Sequence, residues 1–459
     1  MSKKSYSIYH YIYKGPVISL YFRLNNSTVY SKENKDCDNW TQEIVVIIEY
    51  DIAEHESITE LNRYCRRDLL IIQGIITFFT GIPLTVYNSP MSENTSMPIE
   101  IECEFVNEHL SIEEQDFTID LEIMLKHIER DSGLIVTLLD RWRKALYLKC
   151  ESEDADLFFD EAILTFFHIF ETLGESCTKE LKANLEKNID TKLEEYFQII
   201  FFNEEKAQQE VNQNKKAFYK MLVEGYLNLS VKIKYFLNKY NMLDENVSDF
   251  VDNMIKTRNK IAHGRIIRKQ KFIWPLSPFL SFSFDAYNDV ENLVYMTAEM
   301  ISKYIGIQRW EADWKIVKDN LLPAKEFIKQ FFDNKLKINN FNSQMLFDGN
   351  EYNITWNTIF IHYVKNPSID FLNKIEEKLK TCFIDTNLDE EKAADLFNIS
   401  ILFADSADQE IRIKAIENIY TIIDKRWYGW SNYRDVYSYL DFYNVKIDWY
   451  KKYLFGEES

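Results

Sequence analysis

The sequence predicts a mainly α, multidomain protein, α+β overall, with a β-rich module at the N-terminus and a helical C-terminal region. Three observations carry this reading. Glycine (11) and proline (8) are scarce in 459 residues, which disfavours a turn-rich all-β chain and favours long helices. The strand candidates, runs rich in β-branched and aromatic residues, lie in the N-terminal part of the chain. From residue 109 onward the apolar residues recur every three or four positions, the period of an amphipathic helix. Hydrophobic residues make up 46% and aromatics 15%, enough to bury a sizeable core and to exclude a disordered tail.

Residues 1–108 read as a module of their own. "YSIYHYIYK" and "VISLYFR" flank a Gly-Pro turn, and "EIVVIIEY" and "IEIECEFV" are further strand candidates. Between the last two, "ESITELNRYCRRDLLIIQGIITFFTG" reads as a helix closed by a glycine, and the polar run "NSPMSENTSMP" as a loop. The module suits a sensor of a partner or ligand, but its residues specify no chemistry.

Residues 109–310 read as helices. "DLEIMLKHIERDSGLIVTLLDRWRKALYLK" predicts one broken or two successive helices. In "DADLFFDEAILTFFHIFETLGES", Phe159, Ile163, Phe166, Phe170 and Leu173 alternate steps of four and three, a seam for packing on another helix. His168 and Glu171 lie one turn apart on an adjoining face. The charged stretch 178–215 predicts a solvent-facing helix, and "FYKMLVEGYLNLSVKIKYFLNKY" a further long one. Residues 311–459 are again helical and end in the aromatic, cationic stretch "KRWYGWSNYRDVYSYLDFYNVKIDWYKKYLF", which suits a packed helix pair or, less commonly, stacking on bases.

Composition also narrows function. The formal net charge of −19 argues against a general nucleic-acid coat protein. The six cysteines are dispersed without a CxxC pair, so they read as reduced thiols; the seven histidines are scattered, and neither a metal site nor a phosphate-binding glycine loop is visible. No cofactor is expected. The start has no signal-peptide core and no segment is apolar enough to span a membrane, so a soluble cytoplasmic protein is the expectation.

The segment "MIKTRNKIAHGRIIRKQ", residues 254–270, stands out. Val247, Phe250, Val251, Met254, Ile255, Ile261 and Ala262 follow helical spacing, and Arg258 falls in the middle of their stripe. A guanidinium belongs there only if something pairs with it or uses it. Residues 256–271 carry seven cations and no acid, a reversal of sign in so acidic a chain. Gly264 supplies a natural helix stop after His263. Two bland readings compete: a solvated helix end, or Arg258 paired inside a bundle with Glu171 or another acid.

"TRNKIAHG" resembles the signature of HEPN-superfamily ribonucleases, and "FFDEAILTFFHIFETLGE" resembles the partner helix of that bundle. A β-rich N-terminal module ahead of a HEPN unit is similar to Apea-like anti-phage defence proteins. The resemblance covers residues 155–265 and does not extend to 311–459. It implies a central HEPN-like bundle and a metal-independent endoribonuclease acting in abortive-infection defence or a toxin system, under a phage-derived or protein trigger. It further implies an RNA substrate and a homodimer or higher even oligomer that sets two motif helices around one cleft. RNA supplies its own 2′-hydroxyl nucleophile, histidine can shuttle protons near neutral pH, and arginine offers a fork of donors to phosphate. Arg258 is then the phosphate-stabilising group, His263 the general acid and Asn259 an orienting residue. Lys260, Arg265, Arg268 and Lys269 become RNA contacts, with Glu171 and His168 in support. The rival is a non-catalytic HEPN-fold sensor, scaffold or antitoxin-like dimerisation module.

Overall fold

The computed structural model describes residues 4–33, 41–51, 58–85, 91–101, 103–130, 132–150, 158–201, 203–264, 284–339, 341–428 and 433–456. The chain divides into two compact units. The first comprises residues 1–243 and 290–315, the second 244–289 and 316–459. Among the described residues an antiparallel sheet over residues 4–116 precedes a mostly helical remainder.

The sheet of the first unit holds β1 (Lys4–Lys14), β2 (Ile18–Leu24), β3 (Ser27–Glu33), β4 (Thr41–Asp51), β5 (Met91–Thr95), β6 (His109–Ile112) and β7 (Gln115–Asp116), in the order β5-β1-β4-β3-β2-β6-β7. β1 and β4 pair over their whole lengths, from Lys4 opposite Asp51 to Lys14 opposite Thr41. β2 and β3 form a hairpin whose connecting Asn25 takes the left-handed conformation, with φ of 52°. Ile44 to Ile48 of β4 are all buried, because both faces of this strand are covered. One face carries Ile8, Tyr21, Tyr30, Val45 and Ile47 beneath Ile99 and Cys103. The other receives α1 (Ile58–Thr80), where Gln73 Nε2 donates to the Tyr11 hydroxyl at 2.8 Å.

Two sequence expectations are corrected here. Among the described residues of "IEIECEFV" none is in a strand; Ile99 and Cys103 pack on the sheet face instead. "NSPMSENTSMP", expected to be a loop, contains β5, which pairs with β1 from Tyr6 opposite Thr95 to His10 opposite Met91. An edge strand needs only backbone partners, so its side chains stay polar and give no hydrophobic signal.

The α1 helix stops at Gly81, with φ of +72°, and its end is closed from far along the chain. Trp310 Nε1 donates to Phe78 O at 3.0 Å and Arg309 Nε to Phe79 O at 2.8 Å. The Arg309 guanidinium also lies over the rings of Trp310 and Phe117. Trp142, on α3 (Ser132–Cys150), packs between Phe78 and Trp310 with ring centroids 5.4 and 5.6 Å away. Its indole N–H donates to Val294 O of α9 (Phe284–Ile305) at 3.3 Å. Next in the chain, α2 (Thr118–Arg130) and α3 lead to α4 (Phe159–Ser176), whose seam residues Phe159, Ile163, Phe166, Phe170 and Leu173 are all buried. Gly174 lets α4 approach α7 (Leu229–Lys239) closely: a Cβ there would sit 3.3 Å from Ile233 N. The charged stretch forms a hairpin of α5 (Thr178–Ile200) and α6 (Glu204–Tyr226) around Ile189, Leu193 and Val211.

In the second unit α8 (Glu245–Ala262) is grouped with helices from 316 onward. These include α10 (Glu311–Asp319), which crosses the boundary between the units, α11 (Lys325–Phe332), α12 (Met345–Asp348) and α13 (Trp356–Lys365). Beyond them come α14 (Ile369–Asp385), α15 (Glu390–Phe403), α16 (Gln409–Lys425), α17 (Tyr433–Phe442) and α18 (Asp448–Phe455). Trp356, Phe360, Phe383, Phe403 and Ile419 form a continuous core. Val436, Leu440 and Tyr450 of the aromatic C-terminal stretch join that core, so this segment is a packed helix pair.

Glu299 of α9 is 1% exposed, and its Oε2 has no hydrogen-bond partner among the described residues. Burial pushes its carboxyl up to about 7, although Lys303, 3.3 Å away, pulls it back. In the unfolded chain it titrates near the usual carboxylate value. Between that value and about 7 the native state therefore holds a proton that the unfolded state has lost. Stability from this group is full at low pH and is lost as pH rises through the window, by about 3 kcal/mol. Glu299→Gln is expected to flatten this decline, so that urea denaturation finds its advantage over wild type growing from pH 5 to pH 8. An advantage that is equal at both pH values would refute the assignment.

Candidate functional site

The candidate residues lie on α8, and the helix is fixed at its start. Asp244 caps it, its Oδ1 accepting from Val247 N at 2.9 Å and its Oδ2 pairing with Lys318 at 2.8 Å. Asn246 and Asp249 accept from the backbone N–H groups of Ala324 and Lys325 at 2.8 and 3.1 Å. Val247, Phe250, Val251 and Met254 are buried, while Ile255 and Ile261 are half-buried. The expected apolar stripe is therefore spent within the chain over its first turns, and only its C-terminal part stays partly open.

The C-terminal turn carries the candidate chemistry. Arg258 is half-buried and donates from Nη1 to Oδ1 of Asn259 at 3.2 Å. Asn259, Lys260 and His263 are exposed. His263 is the residue that closes the helix, its N–H donating to Asn259 O at 3.2 Å. Gly264 takes φ of +66°, a left-handed backbone that ends the helix, and a Cβ there would meet nothing within 4 Å among the described residues. Arg258 and His263 thus share one helix end but are turned by about 140° about its axis. A guanidinium and an imidazole so placed can hold a phosphate and move a proton, but one helix alone does not aim both at a single atom.

Arg265, Arg268 and Lys269 lie outside the described residues. His168 and Glu171 sit on α4 in the first unit, exposed and half-buried respectively. His168 Nδ1 is 3.4 Å from Arg141 Nη1 on α3, a neighbour that the sequence reading did not foresee. Within its unit α4 packs on α3, α5 and α7. Among the described residues no three His, Cys, Asp or Glu side chains gather as metal ligands would.

A second feature escaped the sequence reading. The first unit holds a cavity of about 1160 Å³ lined by five of the fourteen arginines, on α1 and α3. The local signals, "RYCRR" and "RWRK", were visible, but they are far apart in the chain and only the packing of the two helices combines them.

The anchoring of α8 is testable. Asp244→Ala removes both the cap and the Lys318 pair and is expected to cost about 1–2 kcal/mol in chemical denaturation. Asp244→Asn keeps the cap and is expected to cost less than half as much, because a partly exposed ion pair contributes little. Equal losses for both variants would show that the cap does not hold this end of the helix.

Compared with family models, curated proteins and solved structures, the chain matches none, which leaves the residues of α8 to carry the functional reading.

Proposed function

We propose that this chain is a metal-independent endoribonuclease of the HEPN type, serving anti-phage defence or a toxin system. The observation that carries the reading is the C-terminal turn of α8. There Arg258 is held by Asn259, and His263 closes the helix in an exposed position, in a chain otherwise strongly acidic. The RNA 2′-oxygen attacks the adjacent phosphorus while the 5′-oxygen leaves, giving a 2′,3′-cyclic phosphate. Arg258 binds the non-bridging oxygens, on which negative charge accumulates, and its planar fork fits them. One neutral imidazole accepts the 2′-hydroxyl proton and one charged imidazole gives a proton to the 5′-oxygen. Two copies of His263 supply both states, and the turn between Arg258 and His263 on one helix is the reason for the second copy. Lys260, exposed on the same turn, adds a phosphate contact.

Arg258→Ala and His263→Ala are each expected to lower RNA cleavage by about 10²–10⁴-fold with the fold intact by circular dichroism. Cleavage by the wild type is expected to persist in EDTA and to leave 2′,3′-cyclic phosphate ends. Loss of cleavage in EDTA would overturn the metal-free mechanism. Undiminished cleavage by both alanine variants would remove the site.

The composite site also predicts assembly. Light scattering of active protein at micromolar concentration is expected to give a dimer or a multiple of it. An active monomer would eliminate the shared cleft.

A further inference from the structure

The cavity of about 1160 Å³ in the first unit is built by helix periodicity. On α1, Arg63, Arg66, Arg67 and Leu70 occupy one face at spacings of three, four and seven. On α3 the facing stripe runs through Val136, Asp140, Arg141, Lys144 and Tyr147. The third wall is the edge of the sheet, where Tyr9 of β1 lies opposite Ser92 of β5. The two helices approach so closely that a Cβ on Gly74 would sit 3.1 Å from Cβ of Leu139, which fixes the width of the cleft at its base.

Its charge runs against that of the molecule. Among the described residues, six cations and two carboxylates, Glu93 and Asp140, line it, in a chain of net charge −19. Asp140 is already engaged by Arg143 at 2.9 Å and Lys144 at 2.6 Å. Arg63, Arg66 and Arg67 are exposed and form no close salt bridge among the described residues, although Asp68 lies within electrostatic reach of Arg67. Like charges are costly to hold together unless an anion shares them, and in an acidic chain a cationic cleft of this kind draws anions.

The cleft also has an apolar and polar side that a bare anion does not use. Tyr9 and Tyr147 are half-buried in its walls beside Leu70 and Val136. Two buried atoms of lining residues have no hydrogen-bond partner among the described residues: Oε1 of Gln73, a residue 0% exposed, and Nε of Arg143, 5% exposed. Unmet buried donors and acceptors are rare in folded proteins, and a ligand is one way to meet them.

We propose that this cleft binds a nucleoside polyphosphate. Arginine forks on α1 take the phosphates, since guanidinium geometry matches phosphate oxygens two at a time. The tyrosines and the apolar wall take the planar base, and the unmet Gln73 acceptor takes a ring or amino N–H. The volume lies slightly above the range of about 300–1,000 Å³ usual for small-molecule sites, enough for base, sugar and several phosphates together. The site belongs to the first unit, and its binding does not depend on RNA cleavage, so it stands or falls separately from the ribonuclease reading.

The test is isothermal titration calorimetry on the full chain with ATP, GTP, CTP and UTP, each alone, and with pyrophosphate. At least one nucleoside triphosphate is expected to bind in the micromolar range, and pyrophosphate at least about tenfold more weakly. The double variant Arg66→Glu/Arg67→Glu, two exposed changes that leave the core alone, is expected to weaken nucleotide binding by about tenfold or more with an unchanged circular dichroism spectrum. Tyr147→Ala is expected to weaken the nucleotide and leave pyrophosphate as it was. Absence of binding by all four nucleotides at millimolar concentration overturns the proposal. So does nucleotide binding that survives the charge reversal. A single-stranded RNA decamer that binds and loses affinity in the double variant, while nucleotides do not bind, makes the cleft a nucleic-acid track and overturns it as well.

Discussion

The closure of α1 by Arg309 and Trp310 is the interaction on which the first unit depends. A helix leaves its last carbonyls without intrahelical partners, and those of α1 are deep in the structure, where water cannot serve them. Phe78 O and Phe79 O are instead met by an indole N–H and a guanidinium Nε, from residues 232 and 230 positions later in the chain. Each such bond has a modest net value, about 1–3 kcal/mol, but a buried carbonyl left unmet costs a comparable amount. The bonds also decide position: with Trp310 seated against Phe78 and Trp142, the helix that covers the sheet is held to the helical layer behind it. The cationic charge of Arg309 lies at the negative end of α1, which adds to the attraction.

That fixed arrangement sets up the arginine cleft. Because α1 is held at its C-terminal end and meets α3 closely at Gly74, the faces of the two helices that carry arginine are brought against the β1–β5 edge. Three exposed guanidinium groups on one side of a helix are unfavourable neighbours, and the helix tolerates them only because its opposite side buries Leu69, Ile72, Ile75, Ile76 and Phe79. Apolar burial at about 25 cal/mol per Å² outweighs the repulsion of exposed, screened charges.

The α8 helix shows the opposite allocation. Its apolar stripe is divided, with the first turns used for the chain's own packing and the last turn, which carries the candidate residues, left largely exposed. The Asp244 cap and the contacts of Asn246 and Asp249 with the 324–325 backbone hold the beginning of the helix. Arg258 and His263 therefore stand at the end of a helix that is anchored at its start, and Gly264 supplies the left-handed residue that ends it. A site placed at a helix terminus gains an exposed end with defined direction, but not convergence of both groups on one point.

The sequence by itself determined what is local. The period of α8, its stop at Gly264, the seam on α4 and the strand character of β1, β2 and β4 were all legible, because hydrophobic spacing and backbone preference act within a few residues. The candidate residues on α8 were legible for the same reason. What only the tertiary structure decided depends on contacts between distant segments. β5 is a strand because β1 offers an open edge, and nothing in "MSENT" announces it. Ile99 and Cys103 spell a strand but lie flat on the sheet. Nothing in the local sequence marks Arg309 and Trp310 as partners of the α1 carbonyls, more than two hundred residues earlier. Two short arginine clusters became one cleft through packing alone, since charge carries no periodic signal that says which other charge it will face.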